Sequence, residues 1–296
     1  MNSTSTLGDK PIKRMGVGAM QLAGPGVFGP PRDPDAARAV LRRAIELGVD
    51  HIDTSQFYGP DVVNDLIRET LHPYPDDLKL VTKVGARRDS EGAWLPAQSP
   101  QELREGVEAN LRSLGVERMD LVNLRVMGDD GAPGVPEPEQ LGELEDMRTE
   151  GKLDLIGVSN ATTDGVERAI GLVELGEVQN QFSVLNRADA PTLELCREHE
   201  IAYVPFFPLG SAFTGGPQAL ADDPAIAEVA AKREVTPSQV ALAWLLAQYE
   251  RLLLIPGTTS VAHLEENLAA VDVDLDDEDL TRLEDVEQKG DPLDHA

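Results

Sequence analysis

Short apolar runs alternate with longer amphipathic segments along almost the whole chain. Eight runs have the length and composition of strands: "GVGAM" (16–20), "VDHIDT" (49–54), "LKLVTKV" (78–84), "MDLVNLR" (119–125), "LDLIGVS" (153–159), "EVQNQF" (177–182), "IAYVPFF" (201–207) and "RLLLIPG" (251–257). Between them lie segments with helical periodicity and recognisable ends. "DPDAARAVLRRAIELG" (33–48) has Asp33 as N-cap, Pro34 at the first helical position and Gly48 at the close. "SPQELREGVEANLRSLG" (99–115) opens in the same way with Ser99 and Pro100. Strands that alternate with helices imply a parallel sheet with right-handed crossovers. Eight such units in roughly 250 residues predict a (β/α)8 TIM barrel. A doubly wound open sheet is the second architecture compatible with the pattern. No linker or composition break divides the chain, so one domain is expected, over residues 12–287. Flanking it would be a flexible N-terminal tail (1–11) and a C-terminal tail (288–296).

Composition narrows the partners. The 296 residues carry 53 Asp and Glu against 26 Lys and Arg, a formal net charge of −27. Nucleic acid and anionic membrane surfaces are disfavoured, because binding either requires basic patches. No apolar run approaches the ~20 residues of a membrane span, and "MNSTSTLGDK" has no basic and apolar leader pattern. The single cysteine, Cys196, excludes a disulfide framework and fits a reducing cytoplasm. The five histidines are scattered and no paired-Cys or HExxH pattern exists, so no metal is expected. Neither a Gly-rich dinucleotide fingerprint nor a GxSxG element is present. The expected partner is a small molecule, and the expected state a monomer or weak homo-oligomer.

In a barrel of this kind the working face is the C-terminal end of the strands. Polar residues gather there: Asp53 and, in the following loop, Tyr58; Lys83; Asn123 and Arg125; Ser159 and Asn160; Gln179; Gly257 and Thr258. Asp53, Tyr58 and Lys83 suggest a proton donor. A lysine cation stabilises a phenolate and lowers the phenol pKa, and a carboxylate keeps that lysine charged and oriented. The result would be a tyrosine able to act as a general acid near neutral pH. The plainer alternative is a surface Lys–Asp pair beside a loop tyrosine.

These segments resemble the aldo-keto reductases. The similarity lies in "GVDHIDTSQFYG", "LVTKVG", "LIGVSN", "EVQNQFSVLNR", "FFPLGS" and "IPGTTSVAHLEEN", from about residue 12 to 287. The resemblance implies carbonyl reduction by NADPH, with NADH as the alternative cofactor. It implies Tyr58 as acid, Lys83 as its partner and Asp53 as the partner of the lysine. It implies Ser159, Asn160 and Gln179 at the nicotinamide carboxamide, and Phe206 stacked on the ring. Leu209, Gly210 and Ser211 would follow the pyrophosphate. Gly257, Thr258, Ser260, His263, Glu266 and Asn267 would surround the adenosine end.

Two departures stand out. The fourth strand reads "LVNLRVMG", with Arg125 where the family usually has histidine. A guanidinium only donates and stays charged, so Arg125 could bind a substrate oxygen, stabilise developing negative charge or recognise an acidic substituent. This segment and "HIDTSQFYGPDVVNDLIRET" resemble the bacterial pyridoxal reductase branch in particular, which implies reduction of pyridoxal to pyridoxine. Second, Gly257 and His263 stand where many members place the Lys and Arg that hold the cofactor 2′-phosphate. Met20, Trp94 and Asn123 are further candidates for the substrate pocket. The other reading of the same residues is a nucleotide-binding regulatory barrel with weak or no catalysis.

Overall fold

The computed structural model describes residues 3–128, 134–211 and 214–290. It opens with an antiparallel hairpin, β1 (Thr4–Leu7) and β2 (Lys10–Lys13). The parallel strands are β3 (Val17–Gly18), β4 (His51–Asp53), β5 (Lys79–Val84), β8 (Met119–Arg125), β9 (Leu153–Ser159), β10 (Leu175–Gln179) and β11 (Ala202–Tyr203). A second hairpin, β6 (Ala86–Arg88) and β7 (Trp94–Pro96), follows β5. The parallel sheet runs β3-β4-β5-β8-β9-β10-β11, each crossover carried by a helix or helix pair. The eighth run, 251–257, is not a full strand. It joins the two sheet edges through single parallel bridges, Tyr203 to Leu252 and Met15 to Leu254, with Leu254 N donating to Arg14 O at 2.8 Å and Gly16 N to Leu254 O at 2.8 Å. The (β/α)8 barrel is thereby closed.

Helix starts fall where the capping residues put them. Asp33 accepts from the backbone N–H groups of Asp35 and Ala36 and opens the helix Pro34–Glu46. Ser99 and Glu102 form a reciprocal capping box at Pro100–Leu114.

Period-two alternation along the strands sorts the side chains into two cores. Outward residues such as Ile52, Leu80, Val122, Leu124, Ile156 and Val178 pack under the helices. Inward residues fill the lumen in layers. Its base is apolar: Val81, Leu121, Ala202, Val204, Leu253 and Ile255, with Leu155 against them. Leu7 and Ile12 of the N-terminal hairpin belong to this same cluster, at 1% and 2% exposure.

The expected flexible tail over residues 1–11 is therefore corrected. From Thr4 onward it is a hairpin, because the apolar base of the lumen needs a cover and Leu7 and Ile12 supply it. At the other end, Gln288 Nε2 donates to Val184 O at 3.1 Å and Lys289 N to Leu185 O at 2.7 Å, so the chain stays attached past residue 287. Residues 291–296 of the expected C-terminal tail lie outside the described residues. Ile12→Ala is expected to destabilise the fold by about 2–4 kcal/mol, the cost of a cavity in a packed core. Urea denaturation checks this: an unchanged midpoint would show that the hairpin does not contribute to the core.

Candidate active site

Above the apolar base the lumen turns polar. β4 directs His51 and Asp53 inward, β5 directs Lys83, β8 directs Asn123 and Arg125, and β10 directs Glu177 and Gln179. Register places Lys83 beside Asn123, and Arg125 beside Ser159. Lys83 Nζ lies 2.5 Å from Asp53 Oδ1, with both side chains 4% exposed, and also donates to Thr54 O at 3.3 Å. Gln179 Nε2 donates to the other oxygen, Asp53 Oδ2, at 2.9 Å. Asp53 is thus held on both sides. Tyr58 is buried in the loop after β4, with the Lys83 ammonium 5.4 Å from its ring centroid. The three residues singled out as a proton donor converge.

Electrostatics refine the expected role. Burial alone would lower Lys83, but Asp53 and Tyr58 outweigh it, and the ammonium stays above its ordinary pKa. For Tyr58 burial is the largest influence and raises the pKa, with Asp53 adding to it. Lys83 and Arg125 oppose the rise without cancelling it. The expectation of a net lowered phenol is corrected: the phenol is held protonated, and the two cations limit the cost of losing that proton.

Arg125 is half-buried, its guanidinium 5.6 Å from the Phe206 ring centroid. Burial lowers its pKa. No carboxylate among the described residues forms an ion pair with it. The guanidinium and the tyrosine act on each other's charge.

Two expected contacts move. Gln179, expected at a nicotinamide carboxamide, is fully buried and hydrogen-bonded to Asp53, because period two turns it into the lumen. Asn123, expected in the substrate pocket, is also fully buried and donates through Nδ2 to Glu177 Oε1 at 2.7 Å. Both sit one layer below the mouth. Glu177 is the member of the site missed in the sequence, though the inward pair Glu177 and Gln179 on one strand carried the signal. Gln181, past the end of β10, pairs its backbone with Phe206 and lies nearer the mouth.

A nucleotide cofactor finds suitable groups at the rim. Ser159 Oγ is buried at the end of β9 with no hydrogen-bond partner among the described residues, as a donor suited to an amide oxygen would be. Asn160, at φ 58°, anchors through Nδ2 to Val126 O at 2.8 Å. Leu209 and Gly210 continue along the rim to Ser211, whose N–H donates to Thr214 Oγ1 at 2.8 Å. After the eighth run, Thr258 is buried and Ser260 caps the helix Val261–Leu268. His263 is exposed on that first turn and Asn267 is buried. Glu266 accepts from Thr236 Oγ1 at 2.7 Å, so its carboxylate also fixes the neighbouring helix start. A side chain at Gly257 would begin 2.7 Å from Gly18 O. Glycine there is a packing requirement.

The outer wall is built by the loop after β3 and the β6–β7 hairpin. Arg88 donates to Gly26 O at 2.9 Å, Val27 O at 3.1 Å and Gly92 O at 3.0 Å, stapling loop to hairpin. Its guanidinium lies 4.0 Å from the ring centroid of Trp94, which packs edge-on against Phe57, and Phe57 against Tyr58. Trp94 thus reaches the site through an aromatic chain. Met20 is half-buried in the short 3-10 turn after β3.

A closed (β/α)8 barrel with a buried Asp–Lys pair beside a tyrosine at its C-terminal mouth defines a class, and the chain belongs to it: the aldo/keto reductase family, whose model matches residues 14–288. It is an oxidoreductase. It is 50% identical to pyridoxine 4-dehydrogenase of Escherichia coli (strain K12) over 291 residues, covering 97% of this chain and 99% of that one. It is 36% identical to an uncharacterized oxidoreductase of Schizosaccharomyces pombe over 281 residues, covering 95% of this chain and 89% of that one. An aldo/keto reductase from Klebsiella pneumoniae, solved in complex with NADP and acetate, shares the fold at a TM-score of 0.80 and 24% identity, covering 98% of this chain and 97% of that one.

Removing Lys83 alone strands a buried carboxylate. Lys83→Met is expected to cost about 3–5 kcal/mol, and the double variant Asp53→Asn with Lys83→Met to recover a large part of it. A denaturation cycle over the four proteins checks this coupling. Additive losses would show that the two side chains do not form an energetic pair.

Proposed function

We propose that this protein is an NADPH-dependent carbonyl reductase that converts pyridoxal to pyridoxine. The observation that carries the reaction class is the buried Asp53–Lys83 pair set against Tyr58. When bound, the nicotinamide supplies a hydride to the carbonyl carbon. Tyr58 gives its phenolic proton to the carbonyl oxygen, and the alcohol forms. Lys83 and Arg125 stabilise the phenolate left behind, and Asp53 keeps Lys83 charged. Water at the mouth returns the proton.

Ser159 and Asn160 suit the carboxamide, and Phe206 offers a face to the ring. Thr258, Ser260 and His263 at a helix N-terminus suit a phosphate, since exposed N–H groups and the helix dipole favour an anion there. Support for the substrate comes from the similarity to the E. coli dehydrogenase and from Arg125. A guanidinium with no carboxylate partner among the described residues suits the ring phenolate of pyridoxal, as a charge-assisted hydrogen bond. The cytoplasm is the compartment that suits the cofactor and the single buried cysteine. Among the described residues no helix is long and apolar enough to cross a membrane.

NADPH oxidation, followed with pyridoxal and with simple aldehydes, tests the reading. Turnover is expected with pyridoxal, falling roughly 10²–10⁴-fold in Tyr58→Phe, the usual contribution of a positioned acid, while NADPH still binds. NADPH binding without turnover of any carbonyl would instead favour the regulatory barrel. Arg125→Leu is expected to weaken kcat/KM for pyridoxal by about tenfold or more relative to a neutral aldehyde, in line with a hydrogen bond to a charged group. Equal losses on both substrates would remove Arg125 from phenolate recognition.

A further inference from the structure

Beneath the Asp53–Lys83 pair lies a group that the reaction does not use directly. Glu177 is 2% exposed in the middle of the lumen, and its Oε1 accepts from Asn123. It lines a small internal cavity together with His51, Asp53, Gln179 and apolar residues that include Val81 and Leu253. The empty space there is about the size of a single water-sized sphere. Two acceptors on its neighbours, Asn123 Oδ1 and Gln179 Oε1, are buried without a hydrogen-bond donor among the described residues. A carboxylate at 177 would add further acceptors to a cluster already short of donors. A carboxylic acid would bring a donor to it.

Building on the reductase reading, we infer that Glu177 is a positioning residue that sets the charge beneath the proton donor: a neutral acid while reduction runs, and a brake on reduction once ionised. The charged and titratable groups of the cluster are His51 and Asp53 from β4, Lys83 from β5, Arg125 from β8 and Tyr58 from the loop above. With Glu177 neutral, Asp53 and Lys83 cancel and Arg125 leaves one net positive charge to act on Tyr58. Ionised Glu177 offsets that charge, and a phenolate at Tyr58 then forms with less stabilisation. Burial, opposed by the Asn123 hydrogen bond and assisted by Asp53, pushes the Glu177 carboxyl up to about 7. Its folded pKa is raised, so the neutral acid persists below that value and is lost as pH rises through it. Reduction should weaken in the same window.

The test uses Glu177→Gln, which stays neutral and can still accept from Asn123. Glu177→Met serves as a second neutral variant of similar volume should the first not fold. In wild type, kcat for carbonyl reduction is expected to fall by about tenfold across neutrality, as a proton donor ten times weaker in acidity would give. In the variant that limb is absent and KM for the carbonyl is little changed. Tyrosinate ultraviolet titration, differenced against Tyr58→Phe, reads the same coupling without turnover: Tyr58 should ionise at lower pH in Glu177→Gln than in wild type. An unchanged Tyr58 titration in a folded neutral variant overturns the inference. So does an unchanged kcat profile. A shifted Tyr58 titration in a wild type that reduces no carbonyl upholds the control of Tyr58 by Glu177 and overturns the reductase reading alone.

Discussion

The ion pair between Asp53 and Lys83 organises the upper half of the barrel. Taking both charges out of water costs several kcal/mol for each ion, and their attraction repays this only with close geometry and further hydrogen bonds. Both conditions hold. The pair is in contact, Thr54 O accepts a second hydrogen bond from Lys83, and Gln179 donates to the remaining Asp53 oxygen. Each partner comes from a different strand, so the pair forms only when β4, β5 and β10 are in register. A slip of one residue would turn all three side chains out of the lumen. The chemistry and the strand register therefore depend on each other.

The polar layer needs a dry floor. Leu7 and Ile12 supply it by closing the apolar base of the lumen beneath the polar residues. Low dielectric then strengthens the influence of Lys83 and Arg125 on Tyr58. The same burial raises Tyr58, which explains why the phenol rests protonated even with two cations near it. For a general acid that state is useful: the proton is present before the substrate arrives, and the cations lower the cost of releasing it.

Much of this was legible in the chain. The alternation of runs pointed to the barrel, and the polar strand ends located Asp53, Tyr58 and Lys83. The misreadings of Asn123, Gln179 and Glu177 share a cause. Reading strand ends as one row of residues ignores that adjacent positions face opposite ways. Asn123 and Gln179 were placed at the mouth, although the lumen has depth and their layer lies beneath it. Glu177 was passed over because it lies two residues inside the strand end, where a carboxylate is unexpected until its neighbours are known. The N-terminal hairpin was invisible for another reason. "TSTLGDKPIK" has only two large apolar residues, Leu7 and Ile12, and nothing local says that a barrel base waits for them.

The cofactor end shows how a departure from a family pattern can have a structural cause. Gly257 looks like a missing phosphate ligand when only the sequence is considered. In the fold its α-carbon faces the Gly18 carbonyl so closely that any side chain would push the eighth run away from β3. That edge is joined by only single bridges, so it has little pairing with which to absorb the displacement. Glycine is required there by barrel closure. On the proposed reading, recognition of the cofactor phosphate falls to groups a few residues on, at the helix start marked by Ser260. The Asp53–Lys83 pair and Gly257 express the same constraint: in a barrel closed so sparingly, backbone register decides which side chains are available for chemistry.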